Sequence, residues 1–192
     1  MSKKLVLILV ALGLVMFGAA SLVKSGSEEK FVKKAQPLDS MVGQPAPDFS
    51  LQNQRGETFK LSNMRGKKTV LFFNEGIMCY PACWNQMAAL GTDGQLNNSD
   101  VLSASIVVDP VEHWGKAFQQ MPDLAKGTVL FDTNKAISEQ YGMLTLESSM
   151  HRGSMPGHTY LVIDQEGVVR YVLDDPKMSI QNPTLISELK KI

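Results

Sequence analysis

The only two cysteines of this 192-residue chain lie in the string Cys79-Tyr80-Pro81-Ala82-Cys83, directly after the apolar run Thr69-Val70-Leu71-Phe72-Phe73. Two thiols at that spacing, with no third to pair with, form either a redox couple or a soft-metal clamp. Pro81 suits the first position of a helix, where its missing N–H costs nothing. Ala82 to Leu90 is rich in helix formers, with Trp84, Met87, Ala88 and Leu90 recurring near helical spacing. That places Cys79 at the mouth of a helix and Cys83 in its first turn. One turn can bring the two Cα atoms to about 5 to 6 Å, within reach of a disulfide. The unpaired N–H groups and partial positive charge of a helix start favour a thiolate, which makes Cys79 the expected nucleophile.

Other residues near this string have side chains with usable chemistry. Glu75 precedes Cys79 by four residues, where a carboxylate could shuttle protons during thiol exchange or simply stand in solvent as a loop acid. Trp84 is expected to pack beside the active helix. His113 and His151 have no partner at metal-ligand spacing and are expected to be solvated. The chain carries 11 methionines. Met78, Met143, Met150 and Met155 fall near the presumed site, and thioether suits Cu(I), although methionine is also a common gap-filler.

The elements that must hold these residues read as alternating strands and helices. Phe49-Ser50-Leu51 and Thr58-Phe59-Lys60-Leu61 flank a turn at Arg55-Gly56 and predict a short N-terminal hairpin. Strands follow over Thr69–Asn74, Val101–Val108, Thr128–Phe131, Thr159–Asp164 and Val168–Leu173. Helices are expected from Pro81, around Glu112–Gln120, over Lys135–Tyr141 and near Thr184–Lys190. The pattern predicts an α/β fold with a central mixed sheet flanked by helices, in which the last two strands are an antiparallel pair turning at Gln165-Glu166-Gly167.

The N-terminus bears on where such chemistry takes place. Lys3 and Lys4 precede an apolar run from Leu5 to Val23. At about 1.5 Å per residue its roughly 19 residues reach about 29 Å, the thickness of a bilayer core. Residues 1–24 therefore read as a single-pass membrane anchor whose lysines stay in the cytoplasm. The alternative is a signal segment cleaved near Gly18-Ala19-Ala20, which would leave a secreted or periplasmic chain. Either way the remainder lies outside the cytoplasm, where disulfides persist. Residues 25–40 read as a polar linker and 41–192 as one domain with a core of its own. With 19 basic and 19 acidic residues the formal net charge is zero, so no nucleic-acid partner is indicated. No glycine-rich nucleotide motif is present, so no cofactor is expected and electrons must come from protein or small-molecule thiols.

Several strings resemble the alkyl hydroperoxide reductase/thiol-specific antioxidant (redoxin) family. They are Val42-Gly43-Gln44-Pro45-Ala46-Pro47-Asp48-Phe49-Ser50-Leu51, Val107-Val108-Asp109-Pro110, Asp132 to Tyr141-Gly142-Met143, and Tyr160-Leu161-Val162-Ile163-Asp164-Gln165-Glu166-Gly167. The resemblance spans about Met41 to Leu173 and implies a thioredoxin-like fold. It implies a thiol-disulfide oxidoreductase in which Cys79 attacks and Cys83 resolves. It also implies that the loop Met155-Pro156-Gly157-His158-Thr159 faces the cysteines, with Pro156 as a candidate cis-proline. His158 could then stabilise the Cys79 thiolate, bind a metal, or be satisfied by water. Peroxiredoxins place a threonine where Gly76 stands and an arginine where His158 stands. A neutral imidazole cannot reproduce the fixed charge and donor fork of arginine, so the departures predict slow reaction with peroxide. The cysteine spacing is also similar to that of Sco-type copper proteins, which implies the alternative of a copper chaperone with Cys79, Cys83 and His158 as ligands.

Overall fold

The computed structural model describes residues 37–192. The anchor or signal segment expected over residues 1–24 lies outside the described residues. Among those described, no helix is long and apolar enough to cross a membrane.

The elements run β1 (Ser50–Asn53), β2 (Thr58–Lys60), β3 (Lys68–Phe73), α1 (Ala82–Thr92), β4 (Val101–Val107), α2 (Trp114–Gln120), β5 (Thr128–Phe131), α3 (Ala136–Gln140), β6 (Thr159–Ile163), β7 (Val169–Asp174) and α4 (Asn182–Leu189). Seven strands form one sheet in the order β2-β1-β5-β4-β3-β6-β7. Strands β3, β4 and β5 are parallel, while β6 and β7 on one side and β1 and β2 on the other run antiparallel to their neighbours. The sheet is mixed and the alternation is as expected from sequence. The N-terminal hairpin does more than expected, because β1 also pairs with β5 and so extends the main sheet.

Strand β3 lies at the heart of the fold and is apolar from Val70 to Phe73 because both of its faces are covered. Val70 and Phe72 enter a core with Trp84, Met87 and Leu90 of α1, Trp114 of α2, and Leu185 and Leu189 of α4. Leu71 and Phe73 enter a second core with Phe49, Phe59, Tyr141 and Met143 on the opposite face. Trp84 therefore packs from the active helix into the core, with its ring 6.4 Å from that of Trp114.

Element ends differ from the sequence expectations in ways that local hydrogen bonding explains. The helix expected around Glu112–Gln120 begins as a 3-10 turn over Val111–His113 before α2 takes over. Helix α4 starts earlier than expected, at Asn182, with Pro183 tolerated in its first turn. Pro81 caps α1 instead of opening it. A 3-10 turn over Leu38–Met41 packs Leu38 and Met41 against the second core, so the last residues of the stretch read as linker take part in the domain's packing. The cis peptide bond among the described residues is Tyr80–Pro81; the bond before Pro156 is trans.

Helix α1 approaches the turn that leads into β5 closely because one of its residues has no side chain. A Cβ at Gly91 would lie 2.5 Å from the backbone nitrogen of Gly127 and 2.7 Å from its Cα. Alanine favours helices over glycine by about 1 kcal/mol. Overpacking costs about 1–3 kcal/mol and must be relieved here by moving backbone. We therefore expect Gly91→Ala to destabilise the domain in urea or thermal unfolding, with the sign opposite to helix propensity.

Candidate active site

The site is assembled where three strand ends meet. Phe73 at the end of β3 pairs with Thr159 at the start of β6, and Thr159 pairs with Asp174 at the end of β7. The residues just beyond these positions are Asn74 to Cys83, His158 and its loop, and Asp175 to Gln181.

After β3 the chain turns sharply. Asn74 Oδ1 accepts the N–H of Gly76 at 2.9 Å, an Asx turn. Gly76 has φ +63°, a left-handed conformation natural to glycine. The turn continues as the 3-10 segment Gly76–Met78, pinned from outside by Asp109, whose Oδ2 accepts the Ile77 N–H at 3.1 Å. Burial pushes the Asp109 carboxyl above the ordinary carboxylate range, against the opposing pull of that N–H. The carboxylate backs directly onto Gly76, filling the space a side chain there would need. Trp84 closes the turn by donating Nε1–H to the Gly76 carbonyl at 3.3 Å.

Cys79 and Cys83 are joined in a disulfide with Cα atoms 5.3 Å apart. Cys83 lies in the first turn of α1, as expected, and its N–H donates to the Cys79 carbonyl at 2.9 Å. Both sulfur-bearing residues are buried, Cys79 at 3 % exposure and Cys83 at 0 %. Met78 and Tyr80, on either side of Cys79, are more than half exposed.

Of the three roles expected for His158, satisfaction by water does not fit its burial, and the sulfur its ring contacts is that of Cys83 rather than Cys79. The ring is buried, with Nδ1 3.5 Å from Cys83 Sγ and Nε2 2.7 Å from the Tyr160 hydroxyl. Its edge meets the ring of Phe72 at a centroid separation of 4.6 Å. Burial lowers its pKa to about 4; the Asp175 and Asp174 carboxylates and the Ser179 carbonyl only partly oppose that fall. The imidazole is neutral near pH 7 and supplies no fixed positive charge.

Glu75 is not a solvated loop acid. It is buried, and its Oε1 accepts N–H groups of Met150 and His151 at 2.6 and 3.0 Å and the Ser149 hydroxyl at 3.2 Å. Its Oε2 meets His151 Nδ1 at 3.2 Å. His151 thus has a partner in Glu75 because the loop folds back onto β3's exit, although its side chain stays 40 % exposed; His113 is exposed as expected. Asp174 fastens the same loop at its base through the N–H groups of Glu147 and Ser148, the Ser148 hydroxyl and Thr159 Oγ1. Together the two carboxylates fix the segment that delivers His158.

Met178 was missed by sequence reasoning. Its Sδ lies 3.9 Å from Cys79 Sγ, in the loop after β7, and its backbone has φ +51°. Asp175 shapes that loop by accepting N–H groups of Lys177 and Ser179. No local pattern marks Met178, although an isolated positive φ at a non-glycine residue is unusual. Of the methionines named from sequence, Met143 is buried in the core, while Met78 and Met150 are exposed. The two cysteine sulfurs and His158 Nδ1 lie within 4.8 Å of one another, so the set singled out for copper is brought together.

Comparison with known proteins settles the family. The AhpC/TSA family model matches residues 42–172. The chain belongs to the AhpC/TSA family. Peroxiredoxin Bcp of Escherichia coli K12 is 28 % identical to it over 158 residues, covering 78 % of this chain and 96 % of that protein. Among solved structures, peroxidoxin BcpB of Mycobacterium tuberculosis superposes with a TM-score of 0.63 at 21 % identity, covering 79 % of this chain and 97 % of that one. Yeast mitochondrial 1-Cys peroxiredoxin, studied for thiol resolution via glutathione/thioredoxin systems, gives 0.64 at 19 % identity, covering 78 % and 74 %. The fold of this AhpC/TSA chain is thioredoxin-like, and it is a redoxin-type thiol oxidoreductase.

The depressed pKa of His158 carries a stability consequence. The unfolded imidazole protonates as pH falls through about 6.5, whereas the folded one resists until about 4. The stability it contributes is complete above pH 6.5 and is lost as pH falls toward 4. We expect the wild type to lose about 3 kcal/mol more than His158→Gln between those limits in denaturant titrations.

Proposed function

We propose that this AhpC/TSA chain is an extracytoplasmic thiol-disulfide oxidoreductase that cycles the Cys79–Cys83 pair against protein or small-molecule thiols. The observation that carries the reading is the pairing of the two cysteines at the start of α1, with a neutral imidazole against the inner sulfur. Cys79 is the sulfur that meets the partner: it retains slight exposure and is flanked by exposed Met78 and Tyr80, whereas Cys83 is sealed. Cys83 then closes the internal disulfide through a mixed-disulfide intermediate. Glu75 acts in this scheme by fixing the loop that presents His158, since its two oxygens are already occupied. A dithiol protein of the thioredoxin type, or glutathione, is the class of reductant the chemistry fits.

Peroxide reduction is the second reading, favoured by the match to peroxiredoxin Bcp. Two features weigh against it. The place of the peroxidatic threonine is taken by Gly76, with the Asp109 carboxylate behind it, and the place of the arginine by an uncharged ring. Neither supplies the hydroxyl or fixed cation that would polarise an O–O bond.

One set of measurements separates these readings. We expect alkylation and mass spectrometry to show an intramolecular disulfide that dithiothreitol opens and mild oxidant restores. Oxidation of the reduced protein by hydrogen peroxide should be at least about 100-fold slower than that of an authentic peroxiredoxin assayed alongside, the typical cost of losing one aligned donor. Thiols that stay free after mild oxidation, with the fold intact, would sink the exchange reading. A peroxide rate matching the authentic enzyme would replace it with the peroxidase. Stoichiometric Cu(I) retained by the reduced domain and lost in His158→Ala would replace it with the soft-metal role, since the donor set is compact.

The compartment rests on Lys3, Lys4 and the apolar run Leu5 to Val23. Full-length protein expressed in a bacterium is expected to sediment with membranes and to keep its N-terminus, with the domain open to externally added protease in spheroplasts. A mature chain that begins near Ser21 would instead show a cleaved signal, and protease protection would overturn the extracytoplasmic assignment.

A further inference from the structure

The hydrogen bonds around His158 have only one arrangement that leaves no polar hydrogen stranded. In the disulfide, Cys83 Sγ carries no hydrogen, so the 3.5 Å approach of Nδ1 either donates an N–H to sulfur or sets two lone pairs against each other. On the other side of the ring Nε2 meets the Tyr160 hydroxyl at 2.7 Å, and that hydroxyl has no other hydrogen-bond partner among the described residues. If Nε2 carried the proton, the buried Tyr160 O–H would have nowhere to donate and the Nδ1 lone pair would face the sulfur. If Tyr160 donates to Nε2, the Nδ1–H points at Cys83 and every donor is used. The hydrogen bond made by one ring nitrogen sets the proton on the other.

The surroundings hold this arrangement rigidly. Tyr160 and His158 are 0 % and 1 % exposed. The Tyr160 ring stacks on Phe72 with centroids 4.6 Å apart and planes 12° from parallel. Burial and the Asp175 charge push the Tyr160 phenol far above its ordinary pKa, so it remains a hydroxyl donor throughout the physiological range. The His158 carbonyl accepts the Asp175 N–H at 2.9 Å, which ties the backbone on the other side.

We propose that Tyr160 is a positioning residue for thiol exchange, fixing His158 in the Nδ1–H tautomer so that the ring donates a hydrogen bond to Cys83 sulfur as it departs. The proposal rests on the oxidoreductase reading and adds the group that stabilises its leaving thiolate. In the reductive direction an external thiolate attacks Cys79 Sγ and a new S–S bond joins the two. The Cys79–Cys83 bond breaks and its electron pair goes to Cys83 Sγ, which becomes a thiolate and accepts the Nδ1–H. A second external thiolate then attacks the partner sulfur of the mixed disulfide, releasing Cys79 as a thiolate and leaving the partner oxidised to its disulfide. His158 transfers no proton in either step. It acts as a neutral donor, and so needs its tautomer set from behind.

Two measurements test this. The ring nitrogen chemical shifts of His158 in 15N-labelled wild-type protein report the tautomer directly and need no variant. We expect a protonated Nδ1 and a hydrogen-bonded, unprotonated Nε2; a protonated Nε2 would overturn the proposal whether or not the disulfide exchanges. Tyr160→Phe removes only the hydroxyl and keeps the ring on Phe72. Losing the donor that stabilises the reduced form should shift the exchange equilibrium with glutathione toward the disulfide by about tenfold, which is about 30 mV more negative for a two-electron couple. It should also move His158 toward the Nε2–H tautomer, a change that loss of packing alone would not produce. An unchanged equilibrium in a folded Tyr160→Phe that still exchanges would refute Tyr160's role and leave the oxidoreductase reading standing. A wild type that keeps the expected tautomer but never exchanges would refute the oxidoreductase reading and, with it, the exchange role assigned to Tyr160.

Discussion

Strand β3 runs between a parallel neighbour, β4, and an antiparallel one, β6, with both faces in apolar cores. Its last residue, Phe73, is paired with Thr159, and Thr159 with Asp174. That register governs everything the site can do. It sends the segment bearing the cysteines, the segment bearing His158 and the segment bearing Met178 out of the sheet at the same edge. A slip of one residue in β6 would turn Tyr160 from the core holding α1 to the opposite face and break its contact with the histidine. The chemistry depends on a sheet pairing rather than on the cysteine string alone.

Around that register the polar groups are arranged to hold loops in place more than to titrate. Glu75 and Asp174 each make four hydrogen-bond contacts with the 147–159 segment, eight in all, the Glu75–His151 side-chain contact among them. Asp109 holds the turn before Cys79, and Asp175 shapes the loop before α4. A buried carboxylate left unpaired would be costly, and each of these four accepts at least one backbone N–H. These clamps surround the ring of His158, which is kept neutral beside a sulfur that must accept negative charge during exchange.

The placement of Gly76 illustrates how one exchange of residue type reorganises a family's site. With φ +63° and a carboxylate lodged behind it, this position cannot take a threonine without displacing Asp109. The departure from the peroxiredoxin pattern is thus built into the backbone and its packing. It is accompanied by the loss of the cation at His158, so two groups that would act on a peroxide are absent together while the dithiol pair is retained.

The amino-acid sequence by itself determined the local facts: two cysteines four apart after an apolar strand, the helix that follows them, the alternation that makes an α/β sheet, and the family strings from Val42 onward. These are legible because strand and helix periods, turn residues and short spacings are written within a few residues of one another. Only the tertiary structure decided which sulfur His158 meets, that Tyr160 stands behind it, that Glu75 is a buried clamp, and that Met178 touches Cys79. His158 and Cys83 are 75 residues apart and Met178 and Cys79 are 99 apart. Contacts of that range are set by strand register and by which loops share a sheet edge, and no local pattern in the chain encodes either one.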